Sequence, residues 1–375
     1  MAGIYIHIPF CKQACHYCDF HFSTQTSDRQ DLIAAIALEL SLQKNYLGQE
    51  PVETIYFGGG TPSLLSAAEL SLILDAVRAH YQTVANAELT LEANPDDLSS
   101  NKLRELKQLG INRLSIGIQS FDDSVLKFLN RAHDADAARN CVVWARQAGF
   151  SNISIDLIYA IQGMTTDLWD SNIHQAIALQ PEHISSYSLT IEEKTVFGHW
   201  MKKKVIDAVP DETAAAQLTL LVDRLENAGY DQYEISNFSL PGFESRHNSS
   251  YWRQTKYLGV GPSAHSYNES SRQFNVRNNH LYVKSMQAGK IPYEVEMLSI
   301  HDKINDYLLT TLRTRWGANL EKLKSDFNYD LLHKHGRYLE QLMSQKLARI
   351  DNQILLLTKS GKLLADKIAS DLFSA

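Results

Sequence analysis

Cysteine is scarce in this chain, and its scarcity is the first constraint on the class of protein. Only four cysteines occur among 375 residues, and three of them, Cys11, Cys15 and Cys18, lie within one short segment. A framework of disulfide bonds is therefore excluded, and three clustered cysteines in a chain of this size indicate a metal or cluster site. The fourth, Cys141, lies within a predicted helix, where we expect a small buried apolar side chain.

Further absences narrow the location and the partners of the protein. No apolar run approaches the length of a membrane span, and the segment Met1–His7 lacks the basic residues and the apolar core of a signal peptide. We therefore expect a cytoplasmic protein. The formal net charge of −7 provides no general attraction to nucleic acid or to an anionic membrane surface.

A strand followed by a helix recurs through the first two thirds of the chain. The predicted strands are Gly3–Pro9, Thr54–Gly59, Glu88–Asn94, Arg113–Ser120, Asn152–Ala160 and His183–Ile191. The predicted helices are Asp28–Tyr46, Ala67–Tyr81, Ser99–Leu109, Ala135–Gln147, Thr166–Leu179 and Asp211–Ala228. Repeated strand–helix units predict a parallel sheet, either a partial barrel or a doubly wound sheet.

The side chains of these strands decide between the two architectures. In Arg113–Ser120 and Asn152–Ala160 one face is apolar, and the other carries small or polar residues such as Ser115 and Asp156. A doubly wound sheet would be apolar on both faces, because helices cover both of its sides. One polar face fits a barrel with an open, partly polar interior. We therefore predict an α/β fold with a partial (β/α)6 barrel over residues 1–233, with its chemistry at the carboxyl ends of the strands.

The pattern changes after residue 233. Residues 234–276 are rich in Ser, Asn, Gly and aromatics without a clear period, which predicts an ordered connecting and covering segment. Residues 277–375 are mostly helical and predict a smaller C-terminal domain that resembles a winged helix. Its predicted elements are the helices Asn279–Ala288, Ile300–Thr314, Tyr329–Gln345 and Lys359–Phe373, and a β-ribbon of Ala348–Asp351 and Ile354–Thr358. From Leu281 onward 14 basic residues stand against 11 acidic ones, a weak balance that favours a packing or substrate-covering role over DNA binding.

The Cys-x3-Cys-x2-Cys motif at residues 11–18, directly after the first predicted strand, is the strongest chemical signal in the sequence. Closely spaced cysteines in one loop can direct their thiolates to one cluster. A structural zinc site normally takes four protein ligands, and His16 or His21 could serve as the fourth, with His7 as a weaker candidate. Three thiolates alone fit a [4Fe–4S] cluster that leaves one iron open to an external ligand. We favour the cluster over zinc.

The cysteine motif after the first strand of a βα barrel resembles the radical S-adenosylmethionine (SAM) superfamily. The resemblance implies that Cys11, Cys15 and Cys18 hold a [4Fe–4S] cluster and that SAM chelates its remaining iron. A second motif, Gly58-Gly59-Gly60-Thr61-Pro62, closes the second predicted strand. Glycines admit a ligand close to the backbone, although a strand-to-helix turn with a serine cap also explains the run. In the family this segment contacts the amino group of SAM.

Over nearly its whole length the chain is similar to the oxygen-independent coproporphyrinogen III oxidase family. The matching segments are Ile4–Cys11, Tyr56–Pro62, Glu92–Pro95, Ser115–Phe121, Asn130–Arg131 and Ser154–Ile158. By these motifs the resemblance implies SAM contacts from Tyr5, Gly59, Gly60, Thr61, Glu92, Gln119, Arg131 and Asp156, and more weakly from Tyr187 and Leu189. Carboxylates suit the ribose hydroxyls and the ammonium of SAM, and a guanidinium suits its carboxylate. The alternative for each residue is a hydrogen-bonded role in the barrel interior, and no residue is assigned as catalytic.

Two features depart from the enzymes of this family. The enzymes carry a fourth cysteine two residues after the third, where this chain has Phe20. They also carry an N-terminal extension before the cluster loop, which we expect to be absent here. Both features match instead a branch of the family that consists of heme chaperones. A further mark of that branch is a His-Asn-x-x-Tyr-Trp motif, present here as His247–Trp252.

The resemblance to the heme chaperones implies heme as a further cofactor, and His247 is the candidate axial ligand of its iron. An imidazole can ligate heme iron, and aromatic neighbours can stack on the macrocycle. The alternative is a structural hydrogen bond of His247 within the aromatic-rich segment. His265 is a lesser candidate ligand.

We therefore expect a heme-binding radical SAM protein that delivers heme to recipient hemoproteins, in particular respiratory ones. The expected electron donor is a reduced flavodoxin or ferredoxin, nucleic acid is not an expected partner, and membrane-bound recipients would require peripheral membrane association. Two alternatives remain open. One is the oxidative decarboxylation of coproporphyrinogen III to protoporphyrinogen IX, against which Phe20 argues. The other is a non-catalytic interaction protein with a structural cluster, which would not bind SAM.

Overall fold

The computed structural model describes residues 2–374, and strand–helix units build its first half. The first six strands are β1 (Ala2–Ile8), β2 (Val52–Gly59), β3 (Thr83–Ala93), β4 (Arg113–Gln119), β5 (Ile153–Tyr159) and β6 (His183–Ser188). The helices between them are α1 (Arg29–Leu42), α2 (Ala67–His80), α3 (Ser100–Gln108), α4 (Asp123–Phe128), α5 (Ala135–Gln147) and α6 (Thr166–Ala178). Every strand and helix predicted in this region is confirmed, and the short helix α4 is an addition to them.

The six strands are parallel and lie side by side in sequence order. Their register brings Glu92 of β3 beside Ser115 of β4, and residues at alternate positions share a face of the sheet. The apolar face, with Leu114, Ile116 and Ile155, is fully buried. The polar face lines the opposite, inner side. Parallel strands in this order, with one polar face, agree with the predicted partial barrel.

Local sequence signals determine where the helices begin and end. Ser66 caps α2 and forms a capping box with Glu69, in which each side chain accepts the backbone N–H of the other residue. Gly110 and Gly149 follow the ends of α3 and α5 with φ of 96° and 86°, a conformation that glycine adopts without strain. These signals return the chain to the amino edge of the sheet for the next strand.

The chain after β6 extends the sheet at both edges. Two helices, α7 (Val196–Lys202) and α8 (Asp211–Asn227), lead to β7 (Asp231–Glu234) and β8 (Asn237–Ser239). After α9 (Arg246–Trp252) follow β9 (Tyr257–Val260), β10 (His265–Tyr267), β11 (Ser271–Asn275), α10 (Asn279–Gln287) and β12 (Tyr293–Met297). Strand β8 pairs with β6, and β9 pairs with β1 in parallel, so the complete sheet has 12 strands.

The segment 234–276 therefore differs from its prediction as a cover without periodic structure. Strands β8 to β11 and helix α9 lie within it, and the strands are parts of the main sheet. Each of these strands has three to five residues, too few for a periodic pattern to emerge. Two of them pair with strands distant in sequence: β8 lies beside β6, and β9 lies beside β1, as Tyr257 beside Gly3 illustrates. The sequence signal is weak because pairing partners, rather than local pattern, determine these strands.

Two hydrophobic cores occur in the described chain. The first joins the barrel to later residues, among them Phe238, Leu258, Tyr282 and Met286. Packing is thus continuous across positions 233 and 276, where we predicted domain boundaries. The second core contains residues from Ile304 onward. The division into domains at 233 and 276 stays a prediction.

The second core belongs to a smaller, mostly helical part. Helices α11 (Ile300–Leu312), α12 (Leu320–Phe327), α13 (Leu331–Ser344), α14 (Lys359–Lys362) and α15 (Ala365–Asp371) accompany strands β13 (Ala318–Asn319), β14 (Ala348–Asp351) and β15 (Ile354–Leu357). The predicted β-ribbon is confirmed, with Asn352 and Gln353 at positive φ in its turn. The predicted closing helix is divided at Leu364. The resemblance to a winged helix stays a prediction. Among residues 2–374, no helix combines the length and the apolar character needed to cross a membrane.

Candidate functional site

The three clustered cysteines follow β1 directly, in a loop at the carboxyl edge of the sheet. Backbone hydrogen bonds from Cys11 N to Ser23 O, at 3.0 Å, and from Cys18 N to Cys15 O, at 3.3 Å, tie this loop down. All three thiols are free and half-buried, whereas Cys141 is buried in α5 as predicted. Since the carboxyl ends of parallel strands meet at this edge, the loop lies over the barrel interior.

Polar side chains from neighbouring segments reach two of the sulfurs. Thr61 Oγ1 donates to Cys11 Sγ at 3.4 Å, and Arg131 Nη1 donates to Cys15 Sγ at 3.3 Å. Burial raises the pKa of the Cys18 thiol to about 11. Burial also raises the pKa of Cys11, although the hydrogen bond from Thr61 acts in the opposite direction. The thiols of Cys11 and Cys18 are therefore protonated at neutral pH. The donors from Thr61 and Arg131 are already placed to stabilise thiolates once a cluster binds.

The histidines considered as zinc ligands each hold a ring hydrogen bond already. His7 Nε2 lies 2.9 Å from the backbone oxygen of His21, and His16 Nδ1 lies 3.0 Å from that of Phe128. His21 Nε2 lies 2.7 Å from Asn279 Oδ1. Within residues 2–374, no three His, Cys, Asp or Glu side chains converge closely enough to hold one metal ion. Separated thiols fit a cluster better, because each thiolate then binds a different iron.

The glycine motif at the end of β2 approaches the cysteine loop so closely that side chains have no space. Gly60 N donates to Ile8 O at 2.8 Å, and a Cβ on Gly60 would lie 2.7 Å from Phe10 O. Gly59 has a φ of +107°, and a Cβ there would lie 2.6 Å from the His7 ring. Both positions thus require glycine. Contact of this segment with a ligand stays a prediction.

Two carboxylates stand on the inner face of the sheet. Glu92 of β3 accepts hydrogen bonds from the Tyr56 hydroxyl at 2.7 Å and from Gly59 N at 3.2 Å. Burial raises the pKa of Glu92 to about 7, and the hydrogen bond from Tyr56 acts against that rise. Burial likewise raises the pKa of Asp156 of β5 to about 6, opposed by hydrogen bonding to Ser185. Both groups therefore change charge near neutral pH, which suits them to a cationic ligand.

Arg131 joins the cysteine loop to the ends of β3 and β4. Its Nη2 donates to Asn94 Oδ1 at 2.5 Å and to Gly117 O at 2.8 Å, and its Nε is buried without a hydrogen-bond partner among the described residues. Gln119 ends β4 with a φ of +67°, where the register between β4 and β5 shifts. A non-glycine residue in this conformation is held there by its surroundings, and such residues cluster at ligand sites.

Tyr5, Tyr187 and Leu189 complete the set of predicted SAM contacts. The Tyr5 ring stacks on that of Tyr56 with centroids 6.1 Å apart, and its hydroxyl lies 3.2 Å from His7 Nδ1. Tyr187, at the end of β6, is 43% exposed, and Leu189 lines an open cavity of about 330 Å³ beside α7. All the predicted contacts therefore lie in the barrel interior or at its carboxyl edge. Their role as ligands stays a prediction.

Sequence reasoning missed three residues that connect the site. Tyr56 supplies the shortest hydrogen bond to Glu92, and Asn94 Nδ2 donates to Thr61 Oγ1 at 3.3 Å. The Tyr17 hydroxyl lies 3.4 Å from Arg131 Nη1. Tyr56 and Asn94 stand within the motifs that carry the family resemblance, so the signal was present. Tyr17 stands inside the cysteine motif, whose spacing identifies only the cysteines as functional residues.

His247 lies at the opposite end of the barrel from the cysteine loop. The residue is 1% exposed, its Nδ1 lies 2.7 Å from Thr54 Oγ1, and its Nε2 lies 2.8 Å from the Tyr251 hydroxyl. Its ring also stacks on Tyr56, with centroids 4.9 Å apart. Both ring nitrogens are thus engaged, as the structural alternative requires, and this geometry argues against axial ligation of heme. His265 is exposed on β10, and heme ligation by either histidine stays a prediction.

Comparison with known proteins identifies the family. The family model of the Radical SAM superfamily matches residues 5–172, which include the cysteine loop and β2 to β5. Proteins named heme chaperone HemW match nearly the whole chain. The one from Bacillus subtilis is 34% identical over 98% of each chain, and the one from Lactococcus lactis is 35% identical over 97% of this chain and 95% of its own. The chain belongs to the HemW family. The HemW protein of Escherichia coli is 37% identical over 70% of this chain and 69% of its own length.

A solved structure matches the fold of this HemW family member. Coproporphyrinogen III oxidase (HemN) from Escherichia coli, a radical SAM enzyme, superposes with a TM-score of 0.87 over 100% of this chain and 90% of that chain. The sequence identity is 22%, so the likeness concerns the fold alone. The predicted radical SAM α/β fold is thereby confirmed.

The residues at the carboxyl edge fit the cofactors that the radical SAM family implies. Three free thiols on one loop match a cluster that takes three protein ligands. The segment Gly58–Gly60 near the cysteine loop presents backbone without side chains. The Nε of Arg131 has no partner in the described part of the chain and remains available as a hydrogen-bond donor. The geometry is therefore suited to a ligand that has both cationic and anionic groups.

Proposed function

We propose that this chain is a heme chaperone, which binds heme together with a [4Fe–4S] cluster and SAM and passes heme to other proteins. The observation that carries the proposal is the similarity to the heme chaperone of Bacillus subtilis, at 34% identity over 98% of each chain. Similarity of that extent includes both the cysteine loop and the segment after β6. Phe20, which occupies the place of a fourth cysteine, is 72% exposed and adds no ligand.

In the proposed site Cys11, Cys15 and Cys18 each bind one iron of the cluster. A cluster held by these residues would supply an electron and would leave one iron open to SAM. Thr61 and Arg131 donate hydrogen bonds to the sulfurs of the loop. Hydrogen bonds to cluster sulfurs stabilise negative charge and are one means by which a protein adjusts the reduction potential of a cluster.

The remaining residues of the site would orient SAM. Glu92 and Asp156 offer carboxylates to its ammonium and ribose hydroxyls, and Arg131 offers a guanidinium to its carboxylate. Gly59 and Gly60 would let the ligand approach the backbone, since they carry no side chain. A Cβ would collide with the His7 ring at position 59 and with Phe10 O at position 60. Tyr5, Thr61, Gln119, Tyr187 and Leu189 belong to the same proposed contact set.

We extend the proposal to partners and location. The recipients would be respiratory hemoproteins, and a reduced flavodoxin or ferredoxin would supply the electron. Transfer would take place in the cytoplasm or, for membrane-bound recipients, through peripheral association with the membrane. The electron donor must approach the cysteine loop, where Phe20 is the most exposed large apolar side chain of the described chain.

The test is an anaerobic titration of the protein with its cluster reconstituted. Heme is added with and without SAM and the Soret band is followed, and the loaded protein is then mixed with an apo-hemoprotein. In parallel, coproporphyrinogen III is incubated with SAM and a reductant, and its tetrapyrrole products are separated. We expect saturable heme binding, transfer to the recipient and unchanged coproporphyrinogen III.

Two results would contradict the proposal in different ways. Formation of protoporphyrinogen IX would favour the decarboxylating enzyme. Absence of both SAM and heme binding, in protein that retains its iron, would favour an interaction protein with a structural cluster. Cys141→Ala is the matched control for handling of thiols, because Cys141 lies in α5 and outside the cysteine loop.

A further inference from the structure

Arg113 opens β4 and is buried in the barrel, and its Nε has no hydrogen-bond partner among the described residues. The residue is 1% exposed and shares the inner face with Ser115 and Gly117. Its Nε is buried without a hydrogen-bond partner, and its side chain forms no ion pair within residues 2–374. A buried guanidinium with an unpaired nitrogen and no ion pair is unusual, because burial removes hydration from the charged group. The position of Arg113 therefore needs an electrostatic explanation.

The carboxylates of the inner face, Glu92 and Asp156, lack a positively charged partner among the described residues. Glu92 stands on the neighbouring strand, level with Ser115, which is the next inward position after Arg113. Its partners are a hydroxyl and a backbone N–H, and the nearest partners of Asp156 are serine hydroxyls. Neither carboxylate forms an ion pair within the described part of the chain. The two acids of the inner face thus stand on the two strands that flank β4, which carries Arg113.

The second cation of the interior is already committed elsewhere. Arg131 donates hydrogen bonds to Cys15 Sγ, the Tyr17 hydroxyl, Asn94 Oδ1 and Gly117 O. These bonds hold its guanidinium against the cysteine loop and the ends of the strands. Arg113 is therefore the cation that remains to offset the inner carboxylates from below.

We propose that Arg113 is a positioning residue whose positive charge favours the ionised forms of Glu92 and Asp156 beneath the SAM site, so that both can accept hydrogen bonds from a cationic ligand. The inference rests on SAM binding at this site, as in the proposed function. The direction of the charge effect agrees with it. Burial raises the pKa of each carboxyl group, and the charge of Arg113 lowers it.

Other titratable groups face these carboxylates from every neighbouring element. Around Glu92 stand Tyr5, Tyr56, Tyr251, Cys11 and Asp156. Around Asp156 stand Glu92, Tyr56, Arg131 and Tyr187. Towards the amino end Arg113 faces His183, Tyr233 and His247, and Glu88 there accepts backbone N–H groups of Arg246 and His247. Burial raises the pKa of these tyrosines and lowers the pKa of these histidines, so they are neutral near pH 7. Titration between about pH 5 and about pH 8 is therefore assigned to the two carboxylates.

The experiment is the pH dependence of SAM binding to cluster-reconstituted protein, measured by equilibrium dialysis between about pH 5.5 and about pH 8.5. In the wild type, affinity falls with pH as the carboxylates take up protons. Arg113→Met removes the charge and keeps the length of the side chain. Its midpoint should move up by about one pH unit, with about tenfold weaker binding near pH 7. Arg113→Lys keeps the charge and should restore a midpoint close to that of the wild type.

Controls separate charge from packing. Arg104→Met, on the exposed side of α3, removes one positive charge from the surface and should leave the SAM titration unchanged. In the Glu92→Gln background the shift caused by Arg113→Met should shrink, because one of the two responding carboxylates is gone. Circular dichroism and iron content establish that each variant is folded and holds its cluster.

Three outcomes would overturn the inference. In the first, Arg113→Met binds SAM with the affinity and the pH midpoint of the wild type. In the second, Arg113→Met and Arg113→Lys weaken SAM binding equally and neither shifts the midpoint. In the third, Arg113→Met shifts the midpoint as much in the Glu92→Gln background as in the wild type. Should Arg113→Met not fold, Arg113→Lys decides: a midpoint one unit higher despite the retained charge contradicts the inference. Heme binding by the same wild-type protein is a separate readout, so failure of the chaperone proposal is distinguishable from failure of this one.

Discussion

The two ends of the barrel differ in how fully their polar side chains are hydrogen-bonded within the protein. At the carboxyl end, Cys11, Arg131 and Gln119 are half-exposed, and Gln119 is in a left-handed conformation. At the amino end, His183 lies between Ser154 Oγ and the Tyr233 hydroxyl, at 2.7 Å from each. His247 is held in the same way between two hydroxyl groups. The carboxyl end thus keeps at least one donor available, the Arg131 Nε, whereas the two amino-end histidines have both ring nitrogens paired.

The difference shows which polar residues a ligand can use. A side chain whose hydrogen-bonding groups are all paired inside the protein contributes to stability, and removing it leaves its partners unsatisfied. A side chain with unused groups, such as the Arg131 Nε, can contribute to binding. Substitutions at the two ends should therefore separate ligand affinity from stability.

The largest effect is expected from the cysteines. Cys15→Ala should abolish assembly of the cluster, because a three-cysteine loop loses an iron ligand that no neighbouring residue can replace. Iron content and the visible absorption after anaerobic reconstitution measure this. Cys141→Ala should retain the full iron content. An intact cluster in Cys15→Ala would contradict the assignment of the loop.

The next effect concerns the glycine segment. In Gly60→Ala the new Cβ would lie 2.7 Å from a backbone oxygen of the cysteine loop, so the two segments must separate. We expect SAM affinity to fall at least tenfold, or about 1.4 kcal/mol, in equilibrium dialysis. Gly336→Ala, a helical position with no atom within 4 Å of the new Cβ, is the matched control. Equal SAM affinities in the two variants would sink the proposed role of Gly60.

At the amino end, His247→Ala should affect stability rather than binding. The change opens a cavity and leaves the hydroxyls of Thr54 and Tyr251 without their partner. We expect a loss of about 2–4 kcal/mol in urea unfolding. The folded variant should bind heme with an affinity within about twofold of the wild type. A variant of unchanged stability that no longer binds heme would restore His247 as the axial ligand.

The smallest effect is a difference in pH dependence between the two ends. Burial lowers the pKa of His247 to about 3, with the charge of Arg113 acting in the same direction. The unfolded chain therefore takes up a proton below about pH 6.5 that the folded protein refuses, and stability falls as pH drops. Near pH 5 this amounts to about 2 kcal/mol.

Glu92, on the carboxyl side of the barrel, should respond with the opposite sign. Since burial raises the pKa of Glu92 to about 7, the folded protein holds a proton that the unfolded chain loses above about pH 4.5. Its contribution to stability therefore rises as pH falls from about 7 to about 4.5. Urea unfolding midpoints are measured at both ends of this pH range. Compared with the wild type, Glu92→Gln should lose more stability as the pH falls, and His247→Asn should lose less. Equal slopes in both variants and the wild type would contradict the comparison.

Much of this arrangement could be predicted from the sequence. Strands such as Arg113–Gln119 have a strict two-residue period, and the cysteine and glycine motifs are contiguous, so local pattern was enough to locate them. Strands β8 and β9 are short and pair with strands distant in sequence, so the sequence did not predict them. Strand β12 is exposed along its whole length and has no burial pattern. The hydrogen bonding of Arg113 and His247 depends on residues that are distant in sequence, so no local sequence pattern predicts it.

The most direct test of the account is the electron paramagnetic resonance spectrum of the reduced cluster, recorded before and after SAM is added to the reconstituted wild type. The carboxyl end is argued to hold a cluster with three cysteine ligands and one iron open to SAM. The account predicts that SAM changes the spectrum, and that the change persists in His247→Ala but is lost in Gly60→Ala. A spectrum that does not respond to SAM in the wild type would contradict it.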